Sequence, residues 1–479
     1  MCLSLRAEYE NPFNDFPVYG ATSANTGVEE GWLRALPWIQ HCLAFHQRCA
    51  NNTESLLPRR VLDLEALLGT KDYSPRLLDT DGMETGRYVC LSHCWGDSEY
   101  LAKTTSLTLE RNKDNIPWDT LPKTFQDAIR FTRWLGIRYL WIDSLCIIQD
   151  SNEDWLEESA KMVDIYRGAF LTLAATASSS DDGGLFHMQA PADQTRRVFG
   201  YSSAGIPYNF YVRPRVSHCI IQRHSFYAET AKDFPLLDRA WVYQELLLSP
   251  RVIHFAEQEL TWECMQRIDC ECGGSTRYDR LHRDTPHKMH HSQALHESSN
   301  NVCELHDRWR TMVEQYSGLS LTLGKDKLPA LSGLARQMQR CRPGDQYLAG
   351  LWAQTLWEDL LWHTMGNRKS SCSRGGGEWR APSWSWASLE KGVRYVYMAY
   401  DGKEASEIYA SLVHASVVPA MAGDSTGQLC MAELVLEGRL IPGTVSKSSF
   451  PSILHYVPRY PCSSTIKNSG SIVSRLPGV

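Results

Sequence analysis

Three sets of residues in this chain are of types that carry chemistry. His93-Cys94, beside Gly96, sets an imidazole next to a thiol. A nucleophilic thiol needs its base on the same side. Neighbours along a strand point to opposite faces, so this pair is poorly placed to work together. Cys264, Cys270 and Cys272, with His282, His287, His290 and His291 downstream, offer sulfur and nitrogen ligands of the kind zinc takes. Their Cys-x5-Cys-x-Cys spacing lacks the Cys-x2-Cys knuckle, and no metal site is expected there. The third set is acidic and hydroxylic. Asp143 closes one apolar run and Ser144 follows it, Ser92 and His93 stand at the end of another, and Glu245 lies one helical turn beyond Trp241. Open α/β sheets bind ligands outside the carboxyl ends of their strands, so Ser92, His93, Asp143 and Ser144 are candidates to line a cleft with Glu245. The alternatives are ordinary. Glu245 can be a surface glutamate paired with Arg239 or Arg251, and Asp143 a helix cap or the partner of a buried arginine.

The elements that must position these residues can be read from apolar periodicity. Tyr88-Val-Cys-Leu-Ser, Tyr139-Leu-Trp-Ile-Asp, Phe170-Leu-Thr-Leu-Ala-Ala and Val252-Ile-His-Phe are short, continuous apolar runs, the mark of strands buried on both faces. Phe125, Ala128, Ile129, Thr132 and Leu135 recur at helical spacing, with Gly136 placed to end the helix and Thr124 to Asp127 resembling a capping box after Pro122. Trp155, Met162, Val163 and Tyr166 make one face of a second helix, and a third is expected around Trp241–Leu248, closed off by Pro250. Strand, helix, strand, helix, strand predicts a parallel sheet covered on both sides. Arg60-Val-Leu-Asp-Leu and Arg76-Leu-Leu-Asp read as short edge strands, and residues 181–235 as an insertion that is strand-like at Tyr208-Asn-Phe-Tyr-Val. Residues 265–301 read as a polar exposed loop. Beyond them, Trp309–Tyr316, Leu331–Met338 and Leu348–Trp362 are expected as helices and Leu434-Val-Leu-Glu-Gly as a strand. The tryptophans at 379, 384 and 386 read as core packing.

Several blocks carry a family resemblance. Leu91-Ser-His-Cys-Trp-Gly96, Leu140-Trp-Ile-Asp-Ser-Leu-Cys-Ile-Ile-Gln-Asp150 and Met162-Val-Asp-Ile-Tyr-Arg-Gly-Ala169 resemble the three main blocks of the fungal HET (heterokaryon incompatibility) domain. Arg239-Ala-Trp-Val-Tyr-Gln-Glu-Leu246, followed by Ser249-Pro-Arg-Val, resembles its closing block. Asp326-Lys-Leu-Pro-Ala-Leu-Ser-Gly333, Ala349-Gly-Leu-Trp352 and Ala381-Pro-Ser-Trp-Ser-Trp-Ala-Ser388 are similar to an extension many such proteins share, so the resemblance covers roughly residues 60–390. It implies a part in allorecognition and programmed cell death, with self-association and other incompatibility proteins as partners. HET domains in turn resemble TIR domains, flavodoxin-like modules of innate immunity, some of which hydrolyse NAD through a glutamate in a Trp-Cys-x-x-Glu-Leu segment. Trp241-Val-Tyr-Gln-Glu-Leu246 has that spacing, with Val242 in place of the cysteine. The resemblance therefore marks Glu245 as the catalytic candidate and NAD as a candidate substrate, with no resident cofactor otherwise implied. Cleaving the nicotinamide–ribose bond passes through an oxocarbenium-like state, which a carboxylate stabilises. The competing expectation is a non-catalytic module that signals by oligomerisation.

Bulk properties set the limits. A net charge of -6 disfavours a general nucleic-acid partner. The beginning of the chain does not read as a secretory signal, no run of apolar residues is long enough to span a bilayer, and the 15 cysteines are scattered, so reduced thiols in the cytoplasm are expected. The fold class expected is α/β, with a TIR/flavodoxin-like, mainly parallel sheet, flanking helices and a mixed helical and β extension. The expected division is an N-terminal segment over 1–85, the HET domain over 86–262, a polar linker over 263–300, the extension over 301–445 and a disordered tail over 446–479.

Overall fold

The strand at Tyr88–Ser92 is buried at all five positions, as a continuous apolar run surrounded by other elements must be. Around it the computed structural model describes residues 20, 22–23, 25–27, 29–49, 54–65, 74–80, 82–96, 102–189, 196–202, 205, 207–212, 216, 233–274, 287–297, 302–364, 379–396, 410–439, 443–447, 454–458 and 469–473. The chain divides into two units, Met1–Asn300 and Asn301–Val479. No helix among the described residues is long and apolar enough to cross a membrane.

The first unit is built on an eight-stranded sheet. Its strands are β1 (Arg60–Asp63), β2 (Arg76–Asp79), β3 (Tyr88–Ser92), β4 (Tyr139–Trp141), β5 (Leu171–Ala174), β6 (Arg251–Phe255), β7 (Leu260–Cys264) and β8 (Ile268–Cys270). Their order across the sheet is β8-β7-β6-β5-β3-β4-β1-β2. The four strands anticipated from apolar runs are the middle four, all parallel, with Val89 opposite both Leu140 and Leu171 and Ile253 opposite Leu173. The flanks differ from the expectation of a mainly parallel sheet. β1, β2, β7 and β8 join antiparallel, which makes the sheet mixed. The reason lies in the connections, since a parallel neighbour needs a long crossover whereas β6, β7 and β8 follow one another through short turns.

Helices cover both faces. On one side, Trp32 of α1 (Glu29–Phe45) meets Phe131 and Trp134 of α2 (Lys123–Trp134), and Phe131 meets Phe255 of β6 edge to face. On the other side lie α4 (Asn152–Gly168) and α5 (Ala240–Leu248), joined by an edge-to-face contact of Trp155 with Trp241. Tyr88 and Cys90 point to this second side, the Tyr88 hydroxyl donating to the Ile165 carbonyl at 2.6 Å. The short helix α3 (Asp143–Cys146) turns the chain directly after β4. Gly136, at φ 69°, ends α2 as expected.

The capping box at Thr124 is not used. α2 begins at Lys123, and Thr124 instead accepts the Gly184 N–H while Asp127 accepts that of Leu185. Residues 265–301, expected as an exposed loop, contain β8 and a helix, α6 (His287–Glu297), whose buried Lys288 donates to the Ser249 carbonyl at 2.7 Å. Within the expected insertion, Arg196–Tyr201 pairs with Pro207–Val212 as a hairpin, and residues 217–232 lie outside the described residues.

In the second unit, α7 (Val302–Tyr316) and α8 (Pro329–Arg340) are present as expected. The helix expected over Leu348–Trp362 is broken up. Ala349 (φ 50°) and Gly350 (φ 101°) form a tight turn between short strands, which no α-helix accommodates. The Gly350 carbonyl accepts from both Trp309 and Trp386 at 3.0 Å. Of the three clustered tryptophans only Trp386 is in the core, Trp379 being 39% exposed. Ala410–Pro419 pairs with Leu429–Arg439, which in turn pairs with Ser469–Val473, and Gly443–Lys447 pairs with Leu454–Pro458. The described part of the expected disordered tail is thus strand, and the remainder lies outside the described residues.

Candidate functional site

Counted along the chain, the four parallel strands run β4-β3-β5-β6, the doubly wound order 2-1-3-4. The order reverses between β3 and β5, and the crevice at the carboxyl ends of those two strands is where such sheets bind ligands. Ser92 is the last residue of β3 and lies opposite Ala174, the last of β5. The loops that follow the two strands touch. Gly96 is at φ 73°, and a Cβ there would come 2.8 Å from the Ser180 Cβ, so only glycine lets the 93–96 turn lie this close.

Glu245 reaches the carboxyl end of β3. It is on α5 and 5% exposed, and its Oε2 accepts from the Ser92 hydroxyl at 2.6 Å. Tyr166, from α4, adds a second hydrogen bond to the carboxyl. Burial raises the Glu245 carboxyl to about 7, the Asp143 charge raises it further, and the Ser92 and Tyr166 hydrogen bonds and the Arg239 guanidinium pull the other way. The surface ion pair considered for Glu245 is absent. Arg251 instead donates to the Phe170 and Cys49 carbonyls, and Arg239 acts on Glu245 through its field.

Asp143, just past β4, is held by the indole of Trp95 at 2.8 Å and by the Ser144 N–H at 2.7 Å. Its other near neighbour is His93, whose Nδ1 lies 3.8 Å from Oδ1. The His93 ring stacks edge-on against Phe125, and neither ring nitrogen has a hydrogen-bond partner among the described residues. Burial lowers the imidazole to about 4, Asp143 opposing and Arg239 assisting, so it is neutral at pH 7. Ser144 is fully buried, with a hydroxyl that also has no partner among the described residues. Cys94 packs with Val242 and Leu246, and burial pushes its thiol up to about 11.

The structure therefore brings Ser92, His93, Asp143 and Glu245 to one place, with Ser144 directly behind Asp143. Sequence reasoning did not single out Tyr166, Trp95 or Asp181. Tyr166 read as one of the apolar positions of a helix face, and nothing in that pattern tells a tyrosine hydroxyl aimed at a carboxylate from one at a surface. Asp181, in the loop after β5, has its carboxyl raised to about 6 by burial and by Asp182. The assembly is two acids, a neutral imidazole, hydroxyls and a guanidinium gathered at the carboxyl ends of β3 and β4. It can bind sugar hydroxyls and stabilise a cation.

Comparison with curated proteins and with solved structures gives no match. A family model described as heterokaryon incompatibility protein (HET) matches residues 88–245, from the first residue of β3 to Glu245 itself. Residues 88–245 of the chain are thus identified as a heterokaryon incompatibility (HET) domain.

Proposed function

We propose that this HET domain hydrolyses the N-glycosidic bond of NAD or a related nucleotide, and that the reaction serves a self/non-self response ending in cell death. One observation carries the reading. Glu245, 5% exposed, is hydrogen-bonded at 2.6 Å to Ser92 where the strand order reverses, beside a second acid. As the C1′–N bond breaks, nicotinamide leaves with the bonding pair and positive charge grows on the ribose. A carboxylate held ready in a dry crevice stabilises that charge without reorganising. The bound nicotinamidium, itself a cation, would favour the ionised form of Glu245. Asp143 and Ser92 supply partners for the ribose hydroxyls, neutral His93 offers a donor or acceptor, and Arg239 suits a phosphate. Water then adds at C1′ and releases a proton. TIR-like likeness adds to this reading through the spacing of Trp241 and Glu245, and is not needed for the chemistry.

The test is nicotinamide release by purified protein, wild type against Glu245→Gln. The swap is nearly isosteric, and losing one such electrostatic contact costs on the order of 10²-fold in rate. Absence of turnover in folded wild type at high protein concentration would sink the enzymatic reading. So would equal rates in the two proteins. Equal killing on overexpression at matched abundance would favour a HET module acting by assembly alone.

A further inference from the structure

On the face of the sheet away from Glu245, four side chains meet that the catalytic reading does not use. Cys42 is on the last turn of α1, His46 follows the helix, Cys49 closes the single 3-10 turn Gln47–Cys49, and Cys264 ends β7. All four are buried, and one ligand atom from each lies within 4.8 Å of the other three. Cys264 Sγ is 3.2 Å from His46 Nδ1. We propose that Cys42, His46, Cys49 and Cys264 bind a structural zinc ion.

The donor set points to that metal. Three thiols and an imidazole are soft to borderline ligands, and four protein donors leave no open position for water or substrate, as in structural Cys3His sites. Zinc at about 2.3 Å from sulfur and 2.0–2.1 Å from nitrogen in a tetrahedron sets its ligand atoms about 3.5–3.8 Å apart, so donors that already lie within 4.8 Å of one another need only small shifts to close on the ion. The backbone holds the donors independently of the metal. The His46 N–H donates to the Cys42 carbonyl at 3.1 Å and the Cys49 N–H to the His46 carbonyl at 3.2 Å, a tight turn that gathers three donors from eight residues. The Arg48 N–H donates to Gln266 Oε1 at 2.6 Å, docking this turn on the loop after Cys264. Three thiolates and one zinc ion carry a net negative charge, costly to bury alone. Arg251, 1% exposed and donating to the Cys49 carbonyl at 2.9 Å, brings a positive charge to the same turn. A disulfide is the other use of such cysteines. It would consume two thiols and leave a third with an imidazole, and a reducing compartment disfavours it.

The ion would tie α1 to β7, closing a chain loop from Cys49 to Cys264. The nearby Cys270, Cys272 and Glu259 form a separate three-residue group. It gives the control.

Elemental analysis of full-length protein, purified without chelator from zinc-supplemented medium, should find about one zinc per chain. Cys264→Ser and Cys42→Ser should bring that below about a tenth, and Cys270→Ser should leave it unchanged. Because the first two variants can fail to fold, wild type exchanged with cobalt(II) provides the second readout. It should show sulfur-to-cobalt charge transfer and the intense visible bands of a tetrahedral ion. Folded wild type without zinc, a disulfide among Cys42, Cys49 and Cys264 in the native protein, zinc that follows Cys270 rather than Cys264, or cobalt bound without thiolate bands would each overturn the assignment.

Discussion

Glu245 is held between two demands, ionisation for charge stabilisation and neutrality for burial. Its folded-state carboxyl lies at about 7 against an ordinary 4.5, burial being the main cause and Asp143 the next. A raised carboxyl binds its proton more tightly in the native state than in the unfolded chain. Between pH 4.5 and 7 the folded protein therefore holds the extra proton, and stability falls as pH rises through that window. His93 works in the opposite sense. With its imidazole depressed from 6.5 to about 4, it withdraws stability as pH falls through that range. A pH profile of wild type alone mixes the two, but comparison with Glu245→Gln cancels the His93 part to first order. The variant should gain on wild type by on the order of 1–3 kcal/mol between pH 5 and pH 8, measured by denaturant unfolding at each pH. A constant difference across that range would mean that Glu245 titrates normally, and that its crevice is far wetter than its burial suggests.

Elements were legible where one physical signal ruled. The four parallel strands announced themselves because burial on both faces leaves no room for polar alternation, and α2 because its apolar face and Gly136 agree. β7 was obscured, since Leu260-Thr-Trp-Glu-Cys264 alternates as a half-exposed strand would, yet every position is buried. Its Glu263 faces buried His254 at 3.3 Å, a pairing invisible before the strands are aligned. The zinc cluster was missed for a similar reason. Cys42, His46 and Cys49 are close in sequence, but their fourth partner is Cys264, and attention to Cys264 fell on the cysteines beside it. Of the candidate site, Ser92 and Asp143 were legible as the ends of apolar runs and Glu245 through the spacing from Trp241, whereas Tyr166 needed the packing of α4. The misread capping box yields a prediction. Thr124 and Asp127 spend their oxygens on the loop after β5, where Gly184 sits at φ 82° and a Cβ would come 2.8 Å from Asp127 Oδ2. Gly184→Ala should cost about 1–3 kcal/mol by denaturant unfolding, from backbone strain together with displacement of Asp127. A loss below about 0.5 kcal/mol would show that the loop yields freely.

The whole molecule does not divide where its family motif does. The stretch 88–245 that matches the HET model supplies only β3, β4 and β5 of the eight strands. Its outer members both pair with strands beyond those bounds, β4 with β1 on the N-terminal side and β5 with β6 on the C-terminal side. Cutting the chain at 88 and 245 would strip hydrogen-bond partners from two buried edges, and such edges recruit other chains. It would also remove α1, whose Trp32 covers Phe131 and Trp134, and all four donors of the zinc cluster, three before residue 88 and Cys264 after residue 245. The unit Met1–Asn300 keeps all eight strands and the helices on both faces, whereas Asn301–Val479 builds its own core around Trp309, Tyr316, Trp352 and Trp386. A fragment ending at Asn300 should therefore express as a folded protein that unfolds in one cooperative transition, because its apolar faces are closed. A fragment of residues 88–245 should aggregate or melt without a transition. Circular dichroism melts and size-exclusion chromatography of the two fragments decide the matter. A soluble, cooperatively melting 88–245 fragment would mean that the antiparallel flanks are accessory. An unfolded 1–300 fragment would mean that the α/β unit depends on the second unit for its stability, and that the HET fold in this chain reaches past its own sheet.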